Sequence, residues 1–279
     1  MSTRTKGERR SVFWTRQVFL SIVLLFMLFP LAWMIVIALR ERTADFSSFF
    51  GLLSGPFTHT NFTDVLGSGN FDIYFRNSAI VAITVVIGNV LFCSMVGYVI
   101  ARRKIPGGRF WLVSIVAVMM IPPQVVMIPL YRLMVSFGWI DTFYALIVPF
   151  LVAPFGVFLM AQYIRGLPVE IEEAARIDGA GDLGILFRIV MPMSAPMLVV
   201  LALFTFLTTW NTFLYPFLFA NSSEMHTLTV GLAFYLGNQS VDWGHLMAGA
   251  SISALPVILL FVLFQRQIIK GMTAGAVKG

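Results

Sequence analysis

The chain has 279 residues, 58% of them hydrophobic and only 11% charged, with a formal net charge of +6. Soluble domains carry about 25% charged residues, so this composition excludes a soluble globular fold and identifies an integral membrane protein. The basic excess reads as positive charge at the inner ends of membrane spans, not as a nucleic-acid surface.

Residues 1–17 form a basic tail with Arg4, Lys6, Arg9, Arg10 and Arg16. The uncharged run Val18–Leu39 follows, and a spanning helix needs ~20 residues. Pro30 inside it predicts a kink, not an end. Residues 40–77 are glycine-rich and aromatic, and read as an external loop with short helices near the membrane interface. The second run, Ser78–Ile100, is closed by Arg102, Arg103 and Lys104. The third, Phe110–Leu130, is interrupted by Pro122, Pro123 and Pro129. The fourth, Phe143–Ile164, is closed by Arg165. The fifth is Ala195–Phe219, and the sixth, Leu246–Phe264, is closed by Arg266 and Lys270.

The expected fold is therefore an all-α membrane protein with six transmembrane helices, a spanning domain over residues 18–269 and a short tail over 270–279. Both termini lie on one side. Placing that side inside puts 15 of the 19 basic residues in the inner segments, and this asymmetry orients short loops, so both termini are expected in the cytoplasm. No span contains Asp, Glu, Lys, Arg or His, the groups that proton-coupled transporters and voltage sensors keep in the membrane. Energy for uphill movement should then enter from outside the chain. The single cysteine, Cys93, reads as packing. The histidines His59, His226 and His245 are scattered through polar connections, so no metal site is expected.

One polar passage, Leu167–Pro192, holds five of the 13 acidic residues. Pro168 suits a first helical turn, and Glu170, Glu172 and Glu173 favour the positive end of the helix dipole. Gly179 fits the left-handed position past a helix end. Asp182 can cap a second helix through Leu183–Val190, which Pro192 should break. Ile171, Ala174, Ala175 and Asp178 recur at helical spacing, giving one small-residue face edged by Glu173.

The order Glu173-Ala174-Ala175, Gly179, Ile189 and Met191-Pro192 resembles the EAA signature of the permease subunits of bacterial ABC importers, with Met191 where leucine is usual. The ending Gln265–Gly279, Trp210-Asn211 and Trp243-Gly244 are similar to the carbohydrate-uptake permeases of the maltose-transporter type. This resemblance implies two permease subunits forming a path in the bacterial inner membrane, two ATPase subunits below them and a solute-binding protein outside. It implies ATPase docking by Glu173, Ala174, Ala175, Asp178, Gly179 and Ala180, in coupling helices between spans four and five. A second contact is implied for the tail residues Thr273, Ala274, Gly275 and Lys278. ATP and Mg²⁺ would bind the partner ATPase, because this chain has no G-x-x-x-x-G-K-[ST] loop and no cofactor of its own.

Polar residues within the spans are candidates for the substrate path: Asn89, Gln124, Trp210, Asn211 and Tyr215, with Thr208 and Thr209 beside Asn211. A sugar calls for aromatic faces and amide hydrogen bonds. The competing reading is helix packing, where such side chains bond across spans for ~0.6 kcal/mol each. The expected substrate is a sugar. Glycerol-3-phosphate or a glycerophosphodiester is the alternative within the family, and a stand-alone secondary transporter the alternative outside it.

Overall fold

Proline and glycine decide where the apolar runs become helices. The computed structural model describes residues 6–41, 51, 53, 55–67, 70–103, 106–237 and 241–274. Among these every regular element is helical, and Arg40 and Phe57 form an isolated bridge. Four helices are long and apolar enough to cross a membrane: Phe13–Ala38, Phe71–Arg102, Phe143–Arg165 and Trp243–Gln267. Two bent pairs raise the total to six if each is one span. Phe110–Met119 and Pro123–Ser136 meet at 97°, and Asp182–Met193 and Ala195–Trp210 at 82°.

The chain divides into two compact units. The first comprises residues 1–68 with 232–253. Its long helix α1 (Lys6–Ala38) passes through Pro30 without ending. The carbonyls at its C-terminus would lack partners in a helix alone. Asn61, on α2 (Thr60–Gly67), donates from Nδ2 to the Ala38 and Arg40 carbonyls at 2.9 and 2.7 Å. The buried Arg40 guanidinium donates to the Pro56 and Gly51 carbonyls, both at 3.0 Å, and lies over the Phe57 ring. His245 sits between Asp242 and Asp64, stacked on Tyr235.

The second unit comprises residues 69–231 with 254–279. It opens with α3 (Phe71–Gly88), a π-turn (Asn89–Cys93) and α4 (Ser94–Arg102), which form one continuous span. This span starts seven residues before the expected Ser78, because Asp72 and Arg76 are tolerated in its first turns. Next come α5 (Gly108–Met119), α6 (Pro123–Ser136), α7 (Phe143–Ile147) with a 3₁₀ turn (Val148–Phe150), and α8 (Pro154–Arg165). Then follow α9 (Glu170–Ile177), α10 (Asp182–Ile185) with a π-turn (Leu186–Val190), α11 (Met191–Met193), α12 (Ala195–Trp210) and α13 (Leu214–Phe219). Helix α14 (Leu228–Ala233) and the long α15 (Trp243–Ala274) complete the order.

Two expected elements differ. The run Ala195–Phe219 is not one helix: it breaks over Asn211–Phe213. The second helix of the polar passage is not broken at Pro192. The chain stays helical to Met193 and turns at Ser194, since the π-turn before Pro192 absorbs the hydrogen bond that proline cannot make.

Helices α4 and α8 cross closely over small residues. A Cβ on Gly97 would stand 2.8 Å from Met160 Cβ, and one on Gly156 would stand 2.8 Å from Cys93 Sγ. Close backbone approach of this kind replaces the hydrophobic effect as the driving force in lipid. The buried core on this side joins Tyr98 and Ile100 of α4 to Met160 and Ile164 of α8, and on to Ile185, Val190 and Leu201.

Candidate functional site

Helix α9 begins at Glu170, two residues past Pro168. It ends in a Schellman arrangement. Ala180 N–H donates to the Ala175 carbonyl at 2.9 Å, Gly179 N–H donates to the Arg176 carbonyl at 3.1 Å, and Gly179 takes φ +86°. That φ favours a residue without Cβ. Ala175 and Ala180 tuck against the buried core, while Glu173, Ala174, Asp178 and Gly179 are exposed. Ile177 is 87% exposed and Leu183 62%.

Glu172, one position before Glu173, points the other way. It is 2% exposed and its Oε1 accepts from Arg102 Nε at 2.7 Å. Arg102 Nη2 also donates to the Leu167 carbonyl at 2.8 Å. Arg103 and Arg176 flank Asp182 in a second, exposed set of ion pairs. Sequence reading singled out Glu173 and missed Glu172. Adjacent residues on a helix point about 100° apart, and what separates them is Arg102 at the end of α4, which meets only Glu172 of the two.

A cavity of about 410 Å³ lies where three helix interruptions meet: Met120–Pro122, Leu151–Ala153 and Asn211–Phe213. It is lined by Thr205, Thr208, Thr209 and Thr212, by Ser78 and Thr227, and by the rings of Phe150, Phe155, Phe204 and Tyr215. Among the described residues no charged side chain lines it. Thr208 and Thr212 donate back to carbonyls of α12, at 2.9 and 2.6 Å, and a hydroxyl that donates in this way can still accept. Tyr215 donates to the Pro123 carbonyl at 3.0 Å and ties α13 to the proline break. The threonines fall at i, i+3, i+4 and i+7, a stripe of which the sequence reading named Thr208 and Thr209 beside Asn211 but not Thr205 and Thr212.

The path candidates part company here. Asn89 and Tyr215 line the cavity, while Gln124, Trp210 and Asn211 do not. Asn89 is 1% exposed and its amide is consumed. Nδ2 donates to the Val85 and Phe150 carbonyls at 3.1 and 2.7 Å, and Oδ1 accepts from Ala153 N–H at 3.2 Å. Trp210 packs between Phe75 and Phe206 and borders a separate, wholly apolar groove. Asn211 donates to the Leu207 carbonyl, and Gln124 is exposed. Thr273 and Ala274 end α15, whereas Gly275 and Lys278 lie outside the described residues.

The loop after α13 is pinned by polar side chains. Asp141, at φ +60°, accepts from Asn221 and Ser222 N–H at 2.8 and 2.9 Å. Asn77 Nδ2 donates to the Glu224 and His226 carbonyls. Burial pushes the His226 imidazole below its usual pKa, although Asp141 and a backbone bond at Ala220 pull it up. Burial also pushes the Asp141 carboxyl up, but the hydrogen bonds from Ser222 and Asn221 outweigh it and hold the group below the usual carboxylate range. Among the described residues no cluster of three His, Cys, Asp or Glu could hold a metal.

Residues 93–274 match the family described as binding-protein-dependent transport system inner membrane component. The chain belongs to this family. As such an inner membrane component it is a transport subunit, and the matched region covers the polar element, the cavity-lining α12 and α15. It is 36% identical to the arabinooligosaccharides transport system permease protein AraQ of Halalkalibacterium halodurans, over 95% of this chain and 96% of that protein. It is 32% identical to the trehalose/maltose transport system permease protein MalG of Thermococcus litoralis, over 90% and 92%. Its fold superposes with a TM-score of 0.80 on a chain of a bacterial ABC transporter involved in the import of the acidic polysaccharide alginate. That match covers 95% of this chain and 99% of the other at 22% identity.

Proposed function

We propose that the chain is the permease subunit of an ATP-driven importer for sugars and forms half of a translocation path with a second permease. The observation that carries the substrate class is the cavity. It offers threonine hydroxyls and aromatic faces at a confluence of helix interruptions, with no charged group among the described residues. Hydroxyl and ring faces match an uncharged polyhydroxylated ligand, and a volume of about 410 Å³ falls in the usual range for small-molecule sites. Relatives named for arabinooligosaccharides and for trehalose and maltose support the same class. A phosphate ester such as glycerol-3-phosphate calls for a cationic clamp, which this cavity lacks. A stand-alone secondary transporter calls for an ionisable relay, and none lines it.

The energy enters through Leu167–Pro192. In this reading Glu173, Ala174, Ala175, Asp178, Gly179 and Ala180 form the surface that docks an ATPase, with Ile177 as its apolar knob. Thr273, Ala274, Gly275 and Lys278 form a second contact. Two ATPase subunits hold ATP and Mg²⁺, and a solute-binding protein delivers the sugar from outside. The charge asymmetry supports a cytoplasmic position for both termini.

The test is reconstitution. Co-expressed with its partners, the chain should co-purify with an ATPase and drive ATP-dependent sugar uptake into proteoliposomes. Sugar uptake by the single chain in vesicles without ATP would overturn the proposal.

A further inference from the structure

The element that receives the ATPase is joined covalently to two spans, through α8 and α12. The side chains attach it to a third. Arg102 ends α4 and its guanidinium reaches two separate pieces of the element. Nε meets Glu172 Oε1 in the first turn of α9 at 2.7 Å, and Nη2 meets the Leu167 carbonyl at the end of α8 at 2.8 Å. The pair is 10% and 2% exposed. The Tyr98 phenol, one turn earlier on α4, is buried beside Glu172 and Arg176. Below these polar contacts the apolar core is continuous from Tyr98 and Ile100 through Ile164 to Ile185 and Val190.

A buried ion pair is poor evidence for net stability, but it is costly to open, because opening leaves a charge without a partner in a low-dielectric site. A contact of this kind that parted at every transport cycle would add that cost to each turnover. The exposed pairs of Asp182 with Arg103 and Arg176 carry no such penalty, being solvated. The two sets therefore differ in kind: one is a fixed joint and the other can exchange with water or a partner.

We propose that Arg102 is a positioning residue. Through Glu172 and the Leu167 carbonyl it makes the end of α4 move with α9 as one rigid body throughout the transport cycle. Thrust entering at α9 then reaches the span Phe71–Arg102 directly. That span carries Ser78, Val81, Val85 and Asn89 into the cavity lining, so the joint links the docking surface to the cavity wall by a path that does not run along the chain. The inference rests on the importer reading.

The experiment measures ATP hydrolysed per sugar imported in the assembled importer, reconstituted in proteoliposomes. Glu172→Gln keeps the side-chain volume and removes the charge. The ratio should rise roughly two- to thirtyfold, the range in which residues along a coupling path act. Arg102→Lys keeps the charge but serves one partner instead of two, and should fall between wild type and Glu172→Gln. The second arm replaces Cys93 with Ala and combines Arg102→Cys with Glu172→Cys. Unlinked, this importer should show the raised ratio. Joining the two thiols with a short bifunctional thiosulfonate should return the ratio toward wild type while transport continues. A ratio unchanged in a normally assembled Glu172→Gln importer, or transport arrested by the linker, would overturn the proposal. Should Glu172→Gln fail to assemble, Arg102→Ala with Glu172→Ala removes both side chains and leaves no unpaired charge. A raised ratio there supports the joint, and a wild-type ratio overturns it. Failure of the wild-type chain to co-purify with an ATPase is a different result and counts against the importer reading itself.

Discussion

Asn89→Ala separates two readings of an intramembrane amide. In the structure the Asn89 side chain bridges the interruption between α7 and α8. It takes the Phe150 carbonyl at 2.7 Å and the Ala153 N–H at 3.2 Å. Pro154, four residues after Phe150, has no N–H with which to replace the amide at the Phe150 carbonyl. A buried polar group left unpaired costs ~1–3 kcal/mol. The short bond to Phe150 merits about 2 kcal/mol and the longer one to Ala153 about 1 kcal/mol, giving about 3 kcal/mol in all. That is about a hundredfold in the unfolding equilibrium. The competing figure is ~0.6 kcal/mol, the average for hydrogen bonds between spans, which is small because most such groups find other partners. Equilibrium unfolding in mixed detergent micelles, titrated with SDS, distinguishes the two. A loss of about 0.6 kcal/mol or less, accompanied by weaker sugar uptake, would refute the structural assignment and return Asn89 to the substrate path.

Three further outcomes are expected. Gly179→Pro cannot adopt φ +86° and should uncouple ATP hydrolysis from uptake in reconstituted importer; unchanged uptake would count against docking by this element. Thr205→Val combined with Thr209→Val removes two hydroxyls from the cavity at nearly constant volume. At ~0.5–1.5 kcal/mol per hydrogen bond the apparent KM for sugar should rise roughly tenfold, with ATPase assembly intact, and an unchanged KM would move the sugar elsewhere. The third concerns pH. His226 is held below its ordinary pKa by burial, so the unfolded loop binds more protons, and the stabilisation is complete above about pH 6.5 and lost as pH falls through the depressed value. Asp141, also depressed, gives way only below the ordinary carboxylate range, at about pH 3.9. Corrected amide exchange at Asn221–Thr227 should therefore quicken between about pH 7 and pH 5, and His226→Gln should flatten that dependence.

What the sequence made legible follows from interactions that are local or one-dimensional. Helix ends at Gly179 and Arg102, the joint in Leu167–Pro192 and the break at Pro122-Pro123 are backbone preferences written into single residues. What stayed hidden depends on which way a side chain points. Glu172 and Glu173 have the same propensity and the same place in the first turn of α9. Only the position of Arg102, seventy residues earlier, makes one a buried partner and leaves the other on the surface. Trp210 and Thr209 are likewise adjacent, and one packs between Phe75 and Phe206 while the other faces the cavity.

The break within Ala195–Phe219 shows a second kind of blindness. No proline marks Asn211–Phe213, and apolar residues continue on both sides, so hydropathy reads straight through it. The structure interrupts the helix there because its freed polar groups have partners already in place. Thr229 Oγ1 donates to the Thr212 carbonyl at 2.7 Å, and Thr212 Oγ1 donates to the Thr208 carbonyl at 2.6 Å. Irregular backbone survives in lipid only where protein or a water-filled cavity satisfies it. A break without proline therefore points to a polar cavity beside it, and the cavity lined by Thr208, Thr209 and Thr212 lies beside this one. The same logic runs in reverse for design of the test: filling the cavity with Thr208→Phe should be tolerated by the break, whose bonds do not involve that side chain, yet block passage of a sugar. Loss of the fold in Thr208→Phe would mean that the cavity is a structural void and not a path.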